Sequence, residues 1–209
     1  MPLRIPTIIY VDGFNLYYGA VKGTPYKWLD LGRFFRLLRP HDDIISIRYF
    51  SALVMGPTRP NQETYLQALA TTPEVDVLLG NFKRKRVKCL VQACTATCNK
   101  FFEVQEEKRT DVNIAVSMLD DAYQGKCDQM ILVSGDSDLV PPIRAIRSRF
   151  TNIKCMVYVP AQHPTRAHAV ELRTAAHASR DLPLNLLSKA QFPTTLNTCS
   201  GVIRKPASW

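Results

Sequence analysis

Five short runs rich in β-branched residues alternate along this chain with segments of helical periodicity. Parallel neighbouring strands need a long crossover connection, and a helix between two strands supplies one. The alternation therefore predicts an α/β fold in which helices cover a parallel sheet. The predicted strands are Ile5 to Val11, Ile44 to Val54, Val75 to Gly80, Gln129 to Ser134 and Ile153 to Val159.

The helices predicted between these strands have recognisable starts and ends. The clearest helix covers Asp111 to Tyr123, where apolar residues recur every three or four positions and Gly125 follows as a C-terminal stop. Its apolar stripe is expected to turn Asp120 and Asp121 towards solvent. The other predicted helices are Phe14 to Val21, Leu31 to Leu38, Gln62 to Thr71 and about Leu139 to Arg149.

Length and composition are those of one globular domain with an appendage. The chain has 209 residues, of which 46% are hydrophobic and 22% charged, and this usage excludes a disordered, collagen-like or coiled-coil chain. We expect a domain at residues 1–160 and a C-terminal extension at 161–209 packed on the same domain. A basic, cysteine-containing insertion, with hairpin character, is expected at about residues 81–107.

The charge balance and the apolar runs bear on partners and compartment. Lys and Arg number 27 against 18 Asp and Glu, a net charge of +9, which hints at a polyanionic partner without identifying one. The longest apolar run near the start, Ile8 to Val11, is far too short for a membrane span or signal peptide. We therefore expect a cytoplasmic protein without a membrane partner. Whether the protein forms a homo-oligomer is left open by the sequence.

Four aspartates stand where strands end or helices begin. Asp12 follows the first apolar strand, Asp136 and Asp138 follow the fourth, and Asp111 opens the clearest helix. In an open α/β sheet, ligands bind at the carboxyl ends of the strands. Each aspartate taken singly is also typical of a helix N-cap. If the first and fourth strands are neighbours, three or four carboxylates converge on one edge of the sheet.

Such a cluster requires neutralisation. Two unit charges about 5 Å apart repel by roughly 3 kcal/mol at an effective dielectric constant of ~20. Oxygen-only, acidic ligands suit a hard cation such as Mg²⁺ or Mn²⁺, which can activate a bound water and hold a phosphoryl oxygen. The candidate metal ligands are Asp12, Asp111, Asp136 and Asp138.

Three sequence blocks around these residues resemble a known family. They are Ile9 to Leu16 (IYVDGFNL), Glu107 to Asn113 (EKRTDVN) and Val133 to Leu139 (VSGDSDL). Their order and spacing are similar to those of NYN domains of the PIN-like nuclease superfamily, in particular the LabA-like bacterial branch. The tail around Gln191 to Pro193 and Pro206 to Trp209 is also similar to that branch.

The resemblance implies a three-layer sandwich with a central, mostly parallel sheet and helices on both faces. It also implies a metal-dependent endoribonuclease in which metal-activated water hydrolyses an RNA phosphodiester bond without a covalent enzyme intermediate. The catalytic residues carried over are Asp12, Asn15, Asp111, Asp136 and Asp138. The sequence departs from the family at Arg109 and Thr110, where many relatives have a glycine, and we expect this to alter only the start of the helix.

Basic residues supply candidate RNA contacts. Within Lys83 to Lys88, five of six residues are cationic, and on a hairpin they would alternate between its two faces. Arg144 and Arg147 form a second candidate phosphate patch at helical spacing. A solvated surface is the alternative for both groups. The candidate nucleic-acid contacts are Lys83, Arg84, Lys85, Arg86, Lys88, Arg144 and Arg147.

Further polar residues and cysteines are weaker candidates. Ser134 and Ser137 could orient a ligand or a phosphate, although serine at such junctions is usually a turn residue, and Lys108 stands beside the central block. Cys89, Cys94 and Cys98 have a spacing suggestive of structural zinc, but a fourth ligand and the paired spacing are missing. Zn²⁺ is thus possible but not favoured over free thiols.

The residues alone leave two other classes of function open. A catalytically silent RNA-binding or regulatory module could use the same pocket as a scaffold. A metal-dependent phosphatase could contain Gly135 to Asp138, but Asp12 is followed by Gly, Phe and Asn rather than by the usual aspartyl nucleophile motif. The sequence contains no GxGxxG motif and no Walker loop, which argues against dinucleotide or ATP chemistry.

Overall fold

A computed structural model of the chain describes residues 4–89, 101–162, 169–199 and 201–209. The strands are β1 (Ile5–Asp12), β2 (Asp42–Ser51), β3 (Val75–Leu79), β4 (Asn81–Lys88), β5 (Phe101–Lys108), β6 (Gln129–Val133), β7 (Lys154–Val159), β8 (Ala178–Asp181), β9 (Thr195–Thr198) and β10 (Gly201–Arg204). The helices are α1 (Gly13–Leu16), α2 (Leu31–Leu38), α3 (Arg59–Leu69), α4 (Thr110–Tyr123), α5 (Val140–Arg149) and α6 (Val170–Ala175).

Six strands form one sheet in the order β3-β2-β1-β6-β7-β8, and every pairing in it is parallel. The five strands expected from the sequence are all in this sheet. The sixth strand, β8, was not predicted because its four residues carry no apolar alternation. Since β8 belongs to the sheet, the sheet continues past residue 160 into the C-terminal segment.

Both faces of the sheet are buried, as the continuous apolar run of β1 indicates. Ile9 and Val11 face a core formed with α1, α2 and α3. Ile8 and Tyr10 face a second core formed with α4, α5 and α6. The structure thus confirms the α/β prediction with helices on both faces of a parallel sheet.

The C-terminal segment packs on the first of these cores. Trp28 is buried, and its indole Nε1 donates to the backbone oxygen of Pro193 at 2.8 Å. Trp209 returns to the same place, with its ring centroid 6.2 Å from that of Trp28 and 5.8 Å from that of Tyr65. Aromatic packing of this kind ties the tail to the domain.

The insertion forms an antiparallel hairpin of β4 and β5, with Asn81 opposite Lys108 and Lys88 opposite Phe101. The predicted hairpin is therefore present in the described residues. After β5, Arg109 has a φ of 82°, in the left-handed region, and α4 starts directly after it. Glycine adopts such a φ without strain, and in this chain an arginine takes it.

In the described ranges, no helix is long and apolar enough to cross a bilayer.

One aspartate of α4 contradicts the expectation from the sequence. Asp121 is fully buried, whereas Asp120 is exposed. The Asp121 carboxylate accepts from the Tyr10 hydroxyl at 2.7 Å, from Arg48 at 2.7 Å and from Lys126 at 3.0 Å. The apolar periodicity of α4 does not reveal these partners, because they lie far away in sequence or beyond the end of the helix.

Replacing Asp121 with Ala should destabilise the fold by about 3 to 5 kcal/mol, because it leaves a buried hydroxyl and a partly buried guanidinium without their acceptor. Urea unfolding followed by circular dichroism measures the change. Asp120→Ala is the matched control, and its free energy of unfolding should change by less than about 0.5 kcal/mol. Equal stability of the two variants would contradict the assigned role of Asp121.

Candidate functional site

The candidate site lies at the carboxyl ends of two adjacent central strands. Asp12 is the last residue of β1, and Val11 pairs with Val133 at the end of β6. The strands that carry Asp12 and Asp136 are therefore neighbours, which is the arrangement on which the carboxylate hypothesis depends. Asp136 and Asp138 follow β6 in a short 3-10 turn at residues 137–139.

Asp12 is buried, and its side chain is held by three donors. The backbone N–H of Asn15 donates to Oδ1 at 3.0 Å, and the side-chain amide of Asn15 donates to Oδ2 at 2.7 Å. The hydroxyl of Ser134 donates to Oδ2 at 3.0 Å. Asp12 is also the N-cap of α1, so its structural and site roles coexist.

Asn15 and Ser134 extend this network into the loop after β6. The Asn15 side-chain oxygen accepts from the backbone N–H of Gly135 at 3.1 Å. Ser134 Oγ accepts from the backbone N–H of Asp136 at 3.1 Å. The Asp136 carboxylate in turn accepts from the backbone N–H of Asp138 at 2.9 Å. The first and third sequence blocks are thus joined by hydrogen bonds around Asp12.

The electrostatics of Asp12 oppose its ionisation. Burial raises the pKa of Asp12, and the charge of Asp136 raises it further. Hydrogen bonds from Asn15 and Ser134 act in the other direction, since they stabilise the charged form. A cation beside the two carboxylates would relieve both unfavourable effects.

The remaining acidic and polar candidates lie around the same edge. Asp111 is half-buried in the first turn of α4, a helix that packs against the 3-10 turn. Asp138 and Ser137 are exposed within that turn, and Lys108 is exposed at the end of β5.

The donor chemistry at this edge is compatible with Mg²⁺ or Mn²⁺. Within the described parts of the chain, no three His, Cys, Asp or Glu side chains are grouped so that they could hold a metal between them. Mg²⁺ usually keeps several waters and is bound through one or two carboxylates plus substrate phosphates. Asp12 and Asp136, an electrostatically coupled pair of which one member is buried, fit that mode of binding.

A cavity of about 530 Å³ opens next to Asp12, and sequence reasoning did not identify it. Gly13, Tyr49, Tyr65, Tyr18 and Trp209 are among its lining residues. A Cβ on Gly13 would lie 2.7 Å from the Tyr49 ring and from the backbone oxygen of Phe50, so the close approach requires glycine. The cluster of aromatic residues arises from four separate segments of the chain, and only the Tyr17-Tyr18 pair is visible as a local sequence signal.

The basic hairpin is anchored beside the site. The Phe82 ring packs edge-on against Phe14 of α1 at a centroid distance of 5.7 Å. Alternate residues of a strand share a face, so Arg84, Arg86 and Lys88 share the face of Phe82. The cations of β4 are exposed: Lys83, Arg84, Lys85, Arg86 and Lys88.

The two arginines of the second candidate phosphate patch, Arg144 and Arg147, have different environments. Arg144 is exposed on α5. Arg147 is half-buried and donates to the backbone oxygens of Ala175 and Ala176 at the end of α6. Arg147 therefore fastens α6 to α5, a structural role that the sequence spacing did not indicate.

Of the three cysteines of the zinc hypothesis, one lies within the described residues. Cys89 is a half-buried free thiol, while Cys94 and Cys98 lie outside the described residues. The zinc hypothesis thus remains a prediction. Cys127 and Cys155 are buried, and burial raises the pKa of each thiol to about 11, which makes both poorly reactive at neutral pH.

Comparison with known proteins adds three findings. The family model of the NYN domain matches residues 6–182. A Pseudomonas putida protein named 6-hydroxy-3-succinoylpyridine 3-monooxygenase HspA is 30% identical, over 100% of this chain and 76% of its own length. A crystal structure of a Vibrio parahaemolyticus protein of unknown function is similar in fold, with a TM-score of 0.52 and 20% identity over 88% of this chain and 96% of that one.

The match covers all three sequence blocks and, apart from Ile5, all six strands of the parallel sheet. Membership of a nuclease-type superfamily implies a nucleic acid substrate. The chain belongs to the NYN domain family, within the PIN-like nuclease superfamily.

Proposed function

We propose that this protein is a metal-dependent endoribonuclease that hydrolyses RNA phosphodiester bonds with Mg²⁺ or Mn²⁺. The observation that carries the proposal is the buried Asp12 carboxylate, held by Asn15 and Ser134 and electrostatically coupled to Asp136. Buried carboxylates with raised pKa values at the end of a central strand are typical of functional sites. In an NYN domain, this edge of the sheet is where catalysis is expected.

Each residue then has a separate role. Asp12 and Asp136 would hold the metal, with Asp138 and Asp111 nearby to bind its waters. A bound metal supplies an activated water and neutralises charge on the phosphoryl oxygens. Asn15 keeps the Asp12 carboxylate oriented and favours its ionised form. Attack of water on phosphorus breaks the bond to one ribose oxygen, which leaves and takes up a proton.

The hairpin supplies affinity for the RNA backbone. Arg84 and Glu103 form an ion pair at 3.7 Å in which both side chains are about two-thirds exposed. Such exposed pairs are weak, so a phosphate can replace the carboxylate. Phe82 packs against Phe14, two residues after Asp12, so this face of the hairpin starts on the side of the candidate site.

A second candidate function follows from the relative whose name describes an oxygenase acting on a substituted pyridine. The aromatic cavity beside Asp12 favours it, since a planar ring of that size could enter. Turnover of that pyridine in air with an added reductant, by a preparation that leaves RNA intact, would favour this function over the nuclease.

Asp12→Asn and Asp136→Asn should each lower the rate of RNA cleavage at least a hundredfold, since each removes one charge from a metal site that stabilises the transition state by several kcal/mol. Gel analysis of labelled single-stranded and structured RNA, with Mn²⁺ or with EDTA, measures the rate. EDTA should abolish cleavage by the wild-type protein.

Asp128→Asn is the matched control for both substitutions. Asp128 is an exposed aspartate that precedes β6 at the opposite edge of the sheet, and its variant should cleave at the wild-type rate. Cleavage that survives both site substitutions would refute the proposal. Salt-dependent RNA binding without cleavage across several divalent ions would instead favour the silent RNA-binding module.

Asn15→Ala should raise the pKa of Asp12 further in the metal-free protein, because it removes the side-chain donor to the charged carboxylate. Titration of the Asp12 carboxyl carbon by NMR measures the shift. A raised folded-state pKa favours folding at pH values below the unfolded-state pKa, and this contribution disappears as the pH rises through the folded-state pKa. An Asp12 pKa that is unchanged or lower in the variant would contradict the role of Asn15.

Neutralising the hairpin should weaken RNA binding without abolishing chemistry. In the double variant Arg84→Gln, Lys88→Gln, the slope of log affinity against log salt should fall by about one to two, because each lost contact to a single strand removes ~0.7. Fluorescence anisotropy with labelled RNA measures the slope. The double variant Lys154→Gln, Lys189→Gln, with two exposed lysines outside the hairpin, should keep the wild-type slope.

A further inference from the structure

The cavity beside Asp12 combines three properties that the proposed cleavage chemistry does not use. It encloses about 530 Å³, which lies within the size range of small-molecule sites. It begins at Gly13, the residue directly after Asp12. Its wall also includes Tyr49, whose pKa is raised mainly by burial and in part by the charge of Asp12. Anything that fills the cavity therefore lies next to the candidate catalytic edge.

The walls of the cavity are largely aromatic. Tyr49 and Tyr65 are buried at its floor, and the Tyr65 hydroxyl is already bonded to the backbone oxygen of Leu29 at 2.9 Å. Tyr17, Tyr18 and Trp209 are more accessible, and Tyr18 is 58% exposed. Aromatic rings at an accessible wall bind planar ligands by stacking, and they accept any base because every base has a π-face.

The charged residues of the cavity are cations. Lys22 and Lys27 line it, and within the described part of the chain no Asp or Glu is among its lining residues. The Lys22 ammonium lies 4.7 Å from the centre of the Tyr18 ring. Lys27 is half-buried and makes no hydrogen bond or ion pair within the described ranges. A half-buried ammonium without a carboxylate favours an anionic ligand.

The C-terminal tail closes one side of the cavity. The Asn61 side-chain amide donates to the Ser208 hydroxyl at 3.1 Å, and Trp209 packs against Tyr65. These contacts hold the tail against α3, so that Trp209 is a fixed wall rather than a loose end. A site of this kind needs no rearrangement of the tail to receive a ring.

We propose that this cavity binds one nucleotide of the RNA substrate, with the base against the aromatic wall of Tyr18 and Trp209 and a phosphate at Lys22 and Lys27. An aromatic pocket with two cations matches the chemistry of a nucleotide, a planar ring that carries an anion. Its place beside Asp12 puts the bound nucleotide next to the bond that is cut. This inference rests on the proposed nuclease function and specifies how the substrate is held.

Equilibrium binding tests the inference separately from cleavage. Calorimetry in EDTA measures the affinity of uridine 5′-monophosphate and adenosine 5′-monophosphate, compared with uridine and with ribose 5-phosphate. The two nucleotides should bind more tightly than uridine, which lacks the phosphate, and than ribose 5-phosphate, which lacks the aromatic base. No nucleotide binding at millimolar concentration, or ribose 5-phosphate bound as tightly as the nucleotides, would overturn the proposal.

Matched variants assign the contacts. Tyr18→Ala should weaken nucleotide binding about tenfold, the loss expected for one stacked base. The control Tyr123→Ala removes an equally exposed tyrosine, 66% exposed on α4 outside the cavity, and should have no effect. Lys27→Gln should weaken the binding of the nucleotides but not of uridine, whereas Lys154→Gln should change neither. Unchanged nucleotide affinity in both Tyr18→Ala and Lys27→Gln would overturn the assignment.

The outcomes separate this inference from the proposed function. Nucleotide binding with these dependences, in a protein that cleaves no RNA, would support the nucleotide site and refute the nuclease. RNA cleavage with an unchanged KM in Tyr18→Ala, and no nucleotide binding, would leave the nuclease standing and overturn the site. Binding of 6-hydroxypyridine-3-carboxylate without binding of either nucleotide would also overturn it, in favour of a small aromatic acid.

Discussion

The burial of the Asp12 carboxylate constrains the whole candidate site of this protein. A charge removed from water is unfavourable unless donors replace the water, and here the donors come from two different connections. Asn15 lies after β1 and Ser134 directly after β6, so the hydrogen bonds of one carboxylate fix both loops relative to each other. The part of the cost of burial that these hydrogen bonds do not offset raises the pKa of Asp12. The site is thus rigid and, at the same time, short of positive charge.

A comparison of the two buried aspartates explains why only one is a candidate for metal binding. Asp121 is surrounded by Tyr10, Arg48 and Lys126, which provide hydrogen bonds and positive charge from the protein itself. Asp12 receives hydrogen bonds only from neutral groups, and its charged neighbour is Asp136. The first carboxylate is compensated within the fold. Under the proposed function the Asp12 carboxylate takes its compensating charge from a bound cation, and that difference distinguishes the structural aspartate from the candidate metal ligand.

How much the sequence could predict follows from the range of the interactions involved. Strands such as β1 and the cap at Asp12 depend on local patterns and were predictable, as was the hairpin of β4 and β5. The burial of Asp121 depends on Arg48, 73 residues away, and no periodicity encodes that pairing. The aromatic cavity is likewise built from separate segments that only the folded chain assembles. The short strand β8 is specified by its place at the sheet edge rather than by its composition.

If the proposed nuclease binds both a metal and RNA, the distribution of charge makes the two binding events assist each other. In the proposed nuclease, a phosphate backbone that approaches Asp12 and Asp136 meets like charge, while the exposed cations of the hairpin and the cavity lysines Lys22 and Lys27 attract it. A divalent metal at the two carboxylates reverses the sign of the local field and adds ligands for phosphate oxygens. Each ligand should therefore raise the affinity of the other by the same factor, since binding linkage is reciprocal. In the proposed nuclease, the excess of nine positive charges attracts RNA in general, whereas the metal-loaded carboxylates select the phosphate that is to be cut.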